Sequence, residues 1–176
     1  DGPSEPLIGT GAPSYVYFTS GSTGVPKGVE LGMAAVVNRL AWLRDEFEEV
    51  IEDYQPQLVM LENYAFGAGR SAHQVGEWGG ILRLMLRDMG RQVVLVSPNA
   101  LKSFATGKLG DKDEVKAAME LASGRTFRKT DESDAFALMA MALAFLGHPI
   151  IESPPERVKK LKKLPWPASV LRAVAA

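Results

Sequence analysis

Leu58-Val59-Met60-Leu61-Glu62-Asn63-Tyr64-Ala65-Phe66 is the stretch on which the reading of this chain turns. Four apolar residues closed by a carboxylate, after the turn from Asp53 to Pro56, predict a buried strand of a sheet covered on both faces. Open α/β sheets place their ligands beyond the C-terminal ends of such strands, and Glu62 stands at that end. The stretch alone leaves two readings of Glu62 open: a presented functional acid, or the first solvated residue after a core strand.

Working outward, residues 33–52 carry Val36, Val37, Leu40, Leu43, Phe47, Val50 and Ile51 at the spacing of one buried helical face. On the other side, Ser71 to Met89 reads as a second helix with Val75, Trp78, Ile81, Leu82, Met85 and Leu86 on its apolar side. Gly76, Gly79 and Gly80 interrupt it at about 1 kcal/mol each relative to alanine, which predicts close approach of another helix, from this chain or a second subunit. Val93 to Val96 is a further short strand, and the alternation implies parallel strands joined by crossover helices. Asn99 to Gly110 reads as a basic, glycine-containing segment, residues 112–122 as a helix, and residues 124–129 as a basic loop. Thr130 is the expected N-cap of the apolar helix that follows.

That helix opens with Asp131-Glu132-Ser133-Asp134. Acids in a first turn are ordinary capping chemistry, because they favour the helix dipole. Asp131 and Asp134, however, share a face three residues apart just before a buried run, and no arginine run stands near to pair them. With Glu62 they form a hard, all-oxygen donor set suited to Mg²⁺ or Mn²⁺.

Composition narrows the chemistry further. The 176 residues, 46% hydrophobic and 23% charged, suffice for one core. There is no cysteine, so disulfides and thiolate metal sites are excluded, and two histidines leave little for a zinc site. No apolar run is long enough to span a bilayer and no signal-peptide pattern is evident, so no membrane association and a cytoplasmic location are expected. Residues 1–100 hold 7 Lys and Arg against 12 Asp and Glu, and residues 101–176 hold 13 against 9, so the halves carry −5 and +4. Such an asymmetry is compatible with a polyanionic partner. After Pro154-Pro155, the cluster of Arg157, Lys159, Lys160, Lys162 and Lys163 reads as a phosphate-binding tail or a solvated basic terminus.

Near the N-terminus, Tyr15 to Thr19 is a strand by its aromatic and β-branched content. It runs into Thr19-Ser20-Gly21-Ser22-Thr23-Gly24-Val25-Pro26-Lys27-Gly28, which lacks Walker A spacing. The loop resembles the phosphate loop of adenylate-forming enzymes, such as acyl-CoA synthetases and the adenylation domains of peptide synthetases. The resemblance implies ATP binding by Gly21, Ser22, Thr23, Gly24 and Lys27. The residue-level alternative is a glycine-rich connection from strand to helix.

From about Arg39 to Pro167 the chain resembles the RuvC-type Holliday-junction resolvases of the compact phage kind, in the RNase H-like superfamily. Five ordered pieces carry the likeness: Arg39 to Asp45, Leu58 to Glu62, the glycine-bearing helix to Leu86, Ser97 to Lys102 with Gly107-Lys108 and Lys112, and Asp131-x-x-Asp134-Ala135. The endings Gly147-His148-Pro149 and Leu164-Pro165-Trp166-Pro167 also look like the phage members. The expected fold is α/β, an RNase H-like mixed sheet flanked by helices, with an atypical or truncated N-terminal strand region at 1–32, a core at 33–150 and a basic tail at 151–176. The resemblance implies a crossover junction endodeoxyribonuclease using two Mg²⁺ or Mn²⁺ ions. Glu62, Asp131 and Asp134 would be its ligands, with Lys112 also catalytic. DNA contacts fall to Lys102, Lys108, Lys112, Arg125, Arg128 and Lys129, with Tyr64 or Phe66 stacking on an unpaired base. It further implies branched DNA as partner, a homodimer through the Gly76/Gly80 helix, and a bacterial or phage-infected cell.

One departure stands out. The family's first strand carries a metal-binding Asp, whereas Leu7 to Ser14 holds Thr10 or Gly11 there. A fusion, a chimera or a design would account for this, and a non-catalytic junction-binding module or scaffold is the corresponding alternative.

Overall fold

The computed structural model describes residues 13–20, 26–63 and 72–175. The chain divides into two compact units, Asp1–Tyr54 and Gln55–Ala176. In the first, β1 (Pro13–Ser20) and β2 (Pro26–Gly32) pair antiparallel, with Thr19 opposite Lys27, and α1 (Met33–Tyr54) follows. The glycine-rich stretch therefore joins strand to strand, not strand to helix, although residues 21–25 lie outside the described residues. The apolar face expected on α1 is only partly covered: Ile51 is buried, while Phe47 and Val50 are exposed. Within this unit a two-stranded hairpin is too small to cover a helix of 22 residues, about 33 Å long.

The second unit is built around the β-α-β crossover anticipated from the sequence. β3 (Leu58–Glu62) and β4 (Gln92–Val96) are parallel, with Leu58 opposite Gln92 and Glu62 opposite Val96, and α2 (Ala72–Asp88) connects them. Parallel neighbours need such a crossover, and a helix is the usual solution. β3 is not the doubly covered strand expected: Leu58 to Leu61 are half-buried, whereas Val94 and Val96 of β4 are fully buried. Among the described residues β3 pairs only with β4, which leaves its other edge without a strand.

Five helices complete the unit: α3 (Pro98–Thr106), α4 (Lys112–Ser123), α5 (Thr130–Phe145), α6 (Pro155–Leu161) and α7 (Ala168–Ala175). α3 forms where the sequence reads only as a basic, glycine-containing segment. Its ends explain it: the Ser97 side chain accepts from the Ala100 N–H at 3.2 Å, Pro98 fits the first turn, and Gly107 ends the helix at φ 80°. α4 opens on a reciprocal capping box, with Asp111 Oδ1 accepting from the Glu114 N–H at 2.8 Å and Glu114 Oε2 from the Asp111 N–H at 3.0 Å. At α5, Lys129 and not Thr130 occupies the N-cap, and its side chain makes no capping bond.

α5 is apolar all round, the mark of a helix surrounded by other elements. Phe136, Ala137, Leu138, Ala140, Met141, Ala142, Ala144 and Phe145 are all buried, and the helix packs against β3, α3, α4 and α6. The C-terminal segment joins this core. Ile151, Leu161, Trp166 and Val170 are buried, and the Trp166 ring stacks on Phe145 with centroids 4.0 Å apart, while its Nε1–H donates to the Leu161 carbonyl at 2.7 Å. Residues 151–175 are thus not a solvated tail. Pro155 starts α6, and the guanidinium of Arg157 donates to the Phe104 and Ala105 carbonyls at 3.0 Å each, binding the C-terminal end of α3.

On α2, Met85 and Leu86 are buried. A Cβ at Gly79 or Gly80 would meet nothing within 4 Å among the described residues.

Candidate functional site

Two elements deliver three acids to one region. Glu62 ends β3, and its neighbour in the ladder, Val96, leads directly into the Ser97 cap of α3. The Asn63 N–H donates to the Val96 carbonyl at 2.6 Å, which continues the ladder one residue beyond Glu62 and fixes its backbone. Asp131 and Asp134 lie in the first two turns of α5, which packs on β3. Two lysines enter from the side, Lys102 on α3 and Lys112 at the first position of α4.

The groups feel one another electrostatically. Burial pushes the Glu62 carboxyl above its ordinary range; the negative charges of Asp134 and Asp131 push it further, against the pull of Lys112 and Lys102. Asp134 is also held above its usual value, first by burial and then by Asp131, again opposed by the two lysines. Lys112 is held above its normal value by its hydrogen bond to Asp131, and the charges of Asp131, Asp134 and Glu62 add to this.

Asp131 and Asp134 differ more than their spacing implies. The Asp131 side chain is 80% exposed and accepts from Lys112 Nζ at 3.1 Å, so a cation already answers it. Asp134 is only 8% exposed, and among the described residues no cation lies within ion-pair distance of it. A buried carboxylate compensated only at longer range is costly to ionise, and a bound cation would relieve that cost. Among the described residues no three acids come close enough to enclose a metal ion by themselves. Mg²⁺ does not require such a cage, since one or two carboxylates with water and substrate phosphate suffice. Glu62 and Asp134 fit that smaller donor set; a two-ion site built wholly from protein carboxylates is not formed by the described residues.

The other residues singled out from sequence are dispersed. Lys108 pairs with Glu114 of the α4 capping box, which raises the lysine and lowers the acid. The guanidinium carbon of Arg125 lies 5.7 Å from the centre of the Phe136 ring. The backbone N–H of Arg128 donates to Glu132 at 2.8 Å, and the Lys129 side chain is exposed. These three flank the start of α5 on the 124–129 loop, which Glu120 also anchors by accepting the Phe127 N–H at 2.9 Å. Tyr64 and Phe66 lie outside the described residues, as do Gly21, Ser22, Thr23 and Gly24; Lys27 is placed on β2. The sequence reading missed Arg157 and Lys160 as structural groups. Lys160 Nζ donates to Ser103 Oγ at 3.2 Å, beside the Arg157 contacts. The one sequence signal for this docking was Gly107, whose Cβ position is filled by the Arg157 guanidinium, 2.8 Å away.

Comparison with known proteins divides in two. No protein-family profile matches the sequence. In structure the chain is similar to RuvC of Thermus thermophilus, with a TM-score of 0.50 at 20% identity over 70% of this chain and 79% of that one. A second structure, T. thermophilus RuvC in complex with Holliday junction substrate, gives a TM-score of 0.53 at 18% identity, over 74% and 82%. In sequence the chain is similar instead to Enterobactin synthase component F of Shigella flexneri, 50% identical over 44 residues, and to Tyrocidine synthase 3 of Brevibacillus parabrevis, 34% identical over 92. Those stretches cover 25% and 52% of this chain but only 3% and 1% of the synthetases, so the chain spans a small fraction of the curated relatives it matches. The architecture is α/β of the RNase H-like type, as its RuvC neighbours have it.

Proposed function

We propose that this chain is a divalent-metal-dependent, structure-selective endodeoxyribonuclease that nicks four-way DNA junctions. The observation that carries the reading is the meeting of Glu62 at the end of β3 and Asp131 and Asp134 at the start of α5 with Lys102 of α3 and Lys112 of α4, in a fold like that of RuvC. Glu62 and Asp134 would hold a Mg²⁺ or Mn²⁺ ion together with water and a phosphate oxygen. Such an ion activates water and stabilises the leaving 3′ oxygen.

The chain's own groups then divide the work. Asp134, desolvated by the packing of α5, keeps a carboxylate in place whose charge is most valuable when a cation arrives. Asp131 holds Lys112 at the rim, where the ammonium can exchange the carboxylate for a backbone phosphate. Lys102 opposes the acids from α3 and lowers the repulsion that an incoming polyanion would meet. Arg125, Arg128 and Lys129 extend positive charge along the 124–129 loop, and a homodimer would place two such sites for paired nicks. The test is nicking of a synthetic four-way junction in Mg²⁺ or Mn²⁺ with linear duplex as competitor; equal cleavage of junction and duplex would overturn the selectivity.

A second reading concerns the first unit and rests on the synthetase matches and on the β1–β2 hairpin that brackets residues 21–25. This reading is an adenylate-forming type of phosphate loop, and the structural and sequence likenesses pointing to different proteins are consistent with a chimeric chain. It predicts ATP binding that Lys27→Ala removes, measured by calorimetry; no heat of binding at millimolar ATP would retire it.

A further inference from the structure

We infer that α1 is a docking surface for a second copy of itself, laid antiparallel. Leu40, Leu43, Phe47, Val50 and Tyr54 recur at alternating spacings of three and four residues, which aligns them in one seam along the helix. The seam is open toward its C-terminal end: Phe47 is 37% exposed, Val50 50% and Tyr54 80%, with Leu40 and Leu43 half-buried. Ile51, one residue off the seam, is buried, so a neighbouring flank holds the helix while its apolar stripe stays accessible.

The charges of the helix select what covers that stripe. Residues 33–44 carry Arg39 and Arg44 and no acid, whereas residues 45–54 carry Asp45, Glu46, Glu48, Glu49, Glu52 and Asp53 and no base. Arg44 pairs with Asp45 at 2.9 Å and reaches Glu48 at 3.9 Å, but two arginines do not balance six acids. Glu52 and Asp53 also stand in the last turn, at the negative end of the helix dipole. A partner that answers all of this needs an apolar seam, a basic half to lie on the acids, an acidic half to lie on the arginines, and its positive dipole end beside Glu52 and Asp53. The same helix turned end for end meets each condition. A parallel copy would lay acid on acid over the C-terminal half, so the charges set the orientation. A uniformly basic helix would answer the acids but repel Arg39 and Arg44. The surface is distinct from the glycine-bearing helix α2, and the inference does not rest on the nuclease reading.

The experiment is sedimentation equilibrium of the full chain over a concentration series, and a reversible monomer–dimer equilibrium is expected. Val50→Glu should weaken the dimer at least tenfold. Val50→Ala, which favours the helix itself, should weaken it severalfold with helix content by circular dichroism undiminished. Trp42→Gln, at a side chain 60% exposed but off the seam, should leave association unaltered. The chain has no cysteine, so a single spin label on Tyr54→Cys reports the orientation. Two helices antiparallel about their middles hold such labels roughly 30 Å apart along the axis, whereas a parallel pair holds them about 10 Å apart. A monomer at every concentration, a dimer indifferent to both Val50 changes, a dimer lost in Trp42→Gln, or labels about 10 Å apart would each overturn the proposal. None of these readouts requires cleavage.

Discussion

The two compact units present opposite kinds of information. The first, through Tyr54, carries ten consecutive residues that resemble a known phosphate loop, yet Ile51 is its one buried apolar side chain among those described. The second, from Gln55, has no contiguous motif of that quality, but it holds nearly all of the described core and every charged group that converges on Glu62. A loop motif is contiguous because one turn of backbone makes the site; an acid cluster is discontinuous because several elements must meet before it exists.

Breaking the second unit without touching the first is the largest available effect. Met141 is fully buried on α5, and Met141→Ala should destabilise the second unit by about 2–5 kcal/mol through lost burial and a cavity. Chemical denaturation should show one transition moving and any transition of the first unit staying in place. Joint movement of both would mean that the two units unfold as one.

Next in size is Lys112→Ala. It should slow junction nicking by roughly 10–100-fold, the scale seen when a group supporting metal ligands is removed. The thermal midpoint should barely move, because the Lys112–Asp131 pair is exposed on both sides. A large fall in the midpoint would make this pair structural instead.

Asp134→Asn should separate function from stability. Its carboxyl is held above the ordinary value in the folded chain, so its contribution to folding is fully present below the unfolded value and is lost as pH rises through the folded one. At neutral pH in metal-free buffer the amide should therefore raise the midpoint, by roughly 2–4 °C for each 1 kcal/mol of relief. The gain should fade as pH falls into the acid range. A lower midpoint at neutral pH would mean that the carboxylate is better compensated than burial and Asp131 imply. The smallest effect is expected for Lys108→Ala, whose ion pair with Glu114 is surface-exposed: nicking and midpoint should both be unchanged within error.

The β3-α2-β4 crossover was legible because its elements obey simple periods: four apolar residues for β3, a spaced apolar face for α2 and Val93 to Val96 for β4. α3 was not, since Asn99 to Gly110 looks polar and basic until the Ser97 cap, the Gly107 terminus and the Arg157 clasp are known. The joining of α6 to the core was hidden for the same reason, because a lysine-rich helix reads as solvated until the contacts of Arg157, Lys160 and Leu161 are known. At the site, the sequence placed Asp131 and Asp134 on one helical face but could not separate their environments. That difference comes from Lys112, nineteen residues away, and from the depth to which α5 is inserted.

The most direct test of the central claim compares wild type and Glu62→Gln in Mg²⁺-dependent nicking of a synthetic four-way junction under single-turnover conditions. The change keeps size and removes charge at the end of β3. A fall of at least about a hundredfold, ~2.7 kcal/mol of transition-state stabilisation, is expected, with junction binding retained in gel shift. Nicking that survives Glu62→Gln at the wild-type rate would contradict the assignment of the acid cluster as the catalytic centre.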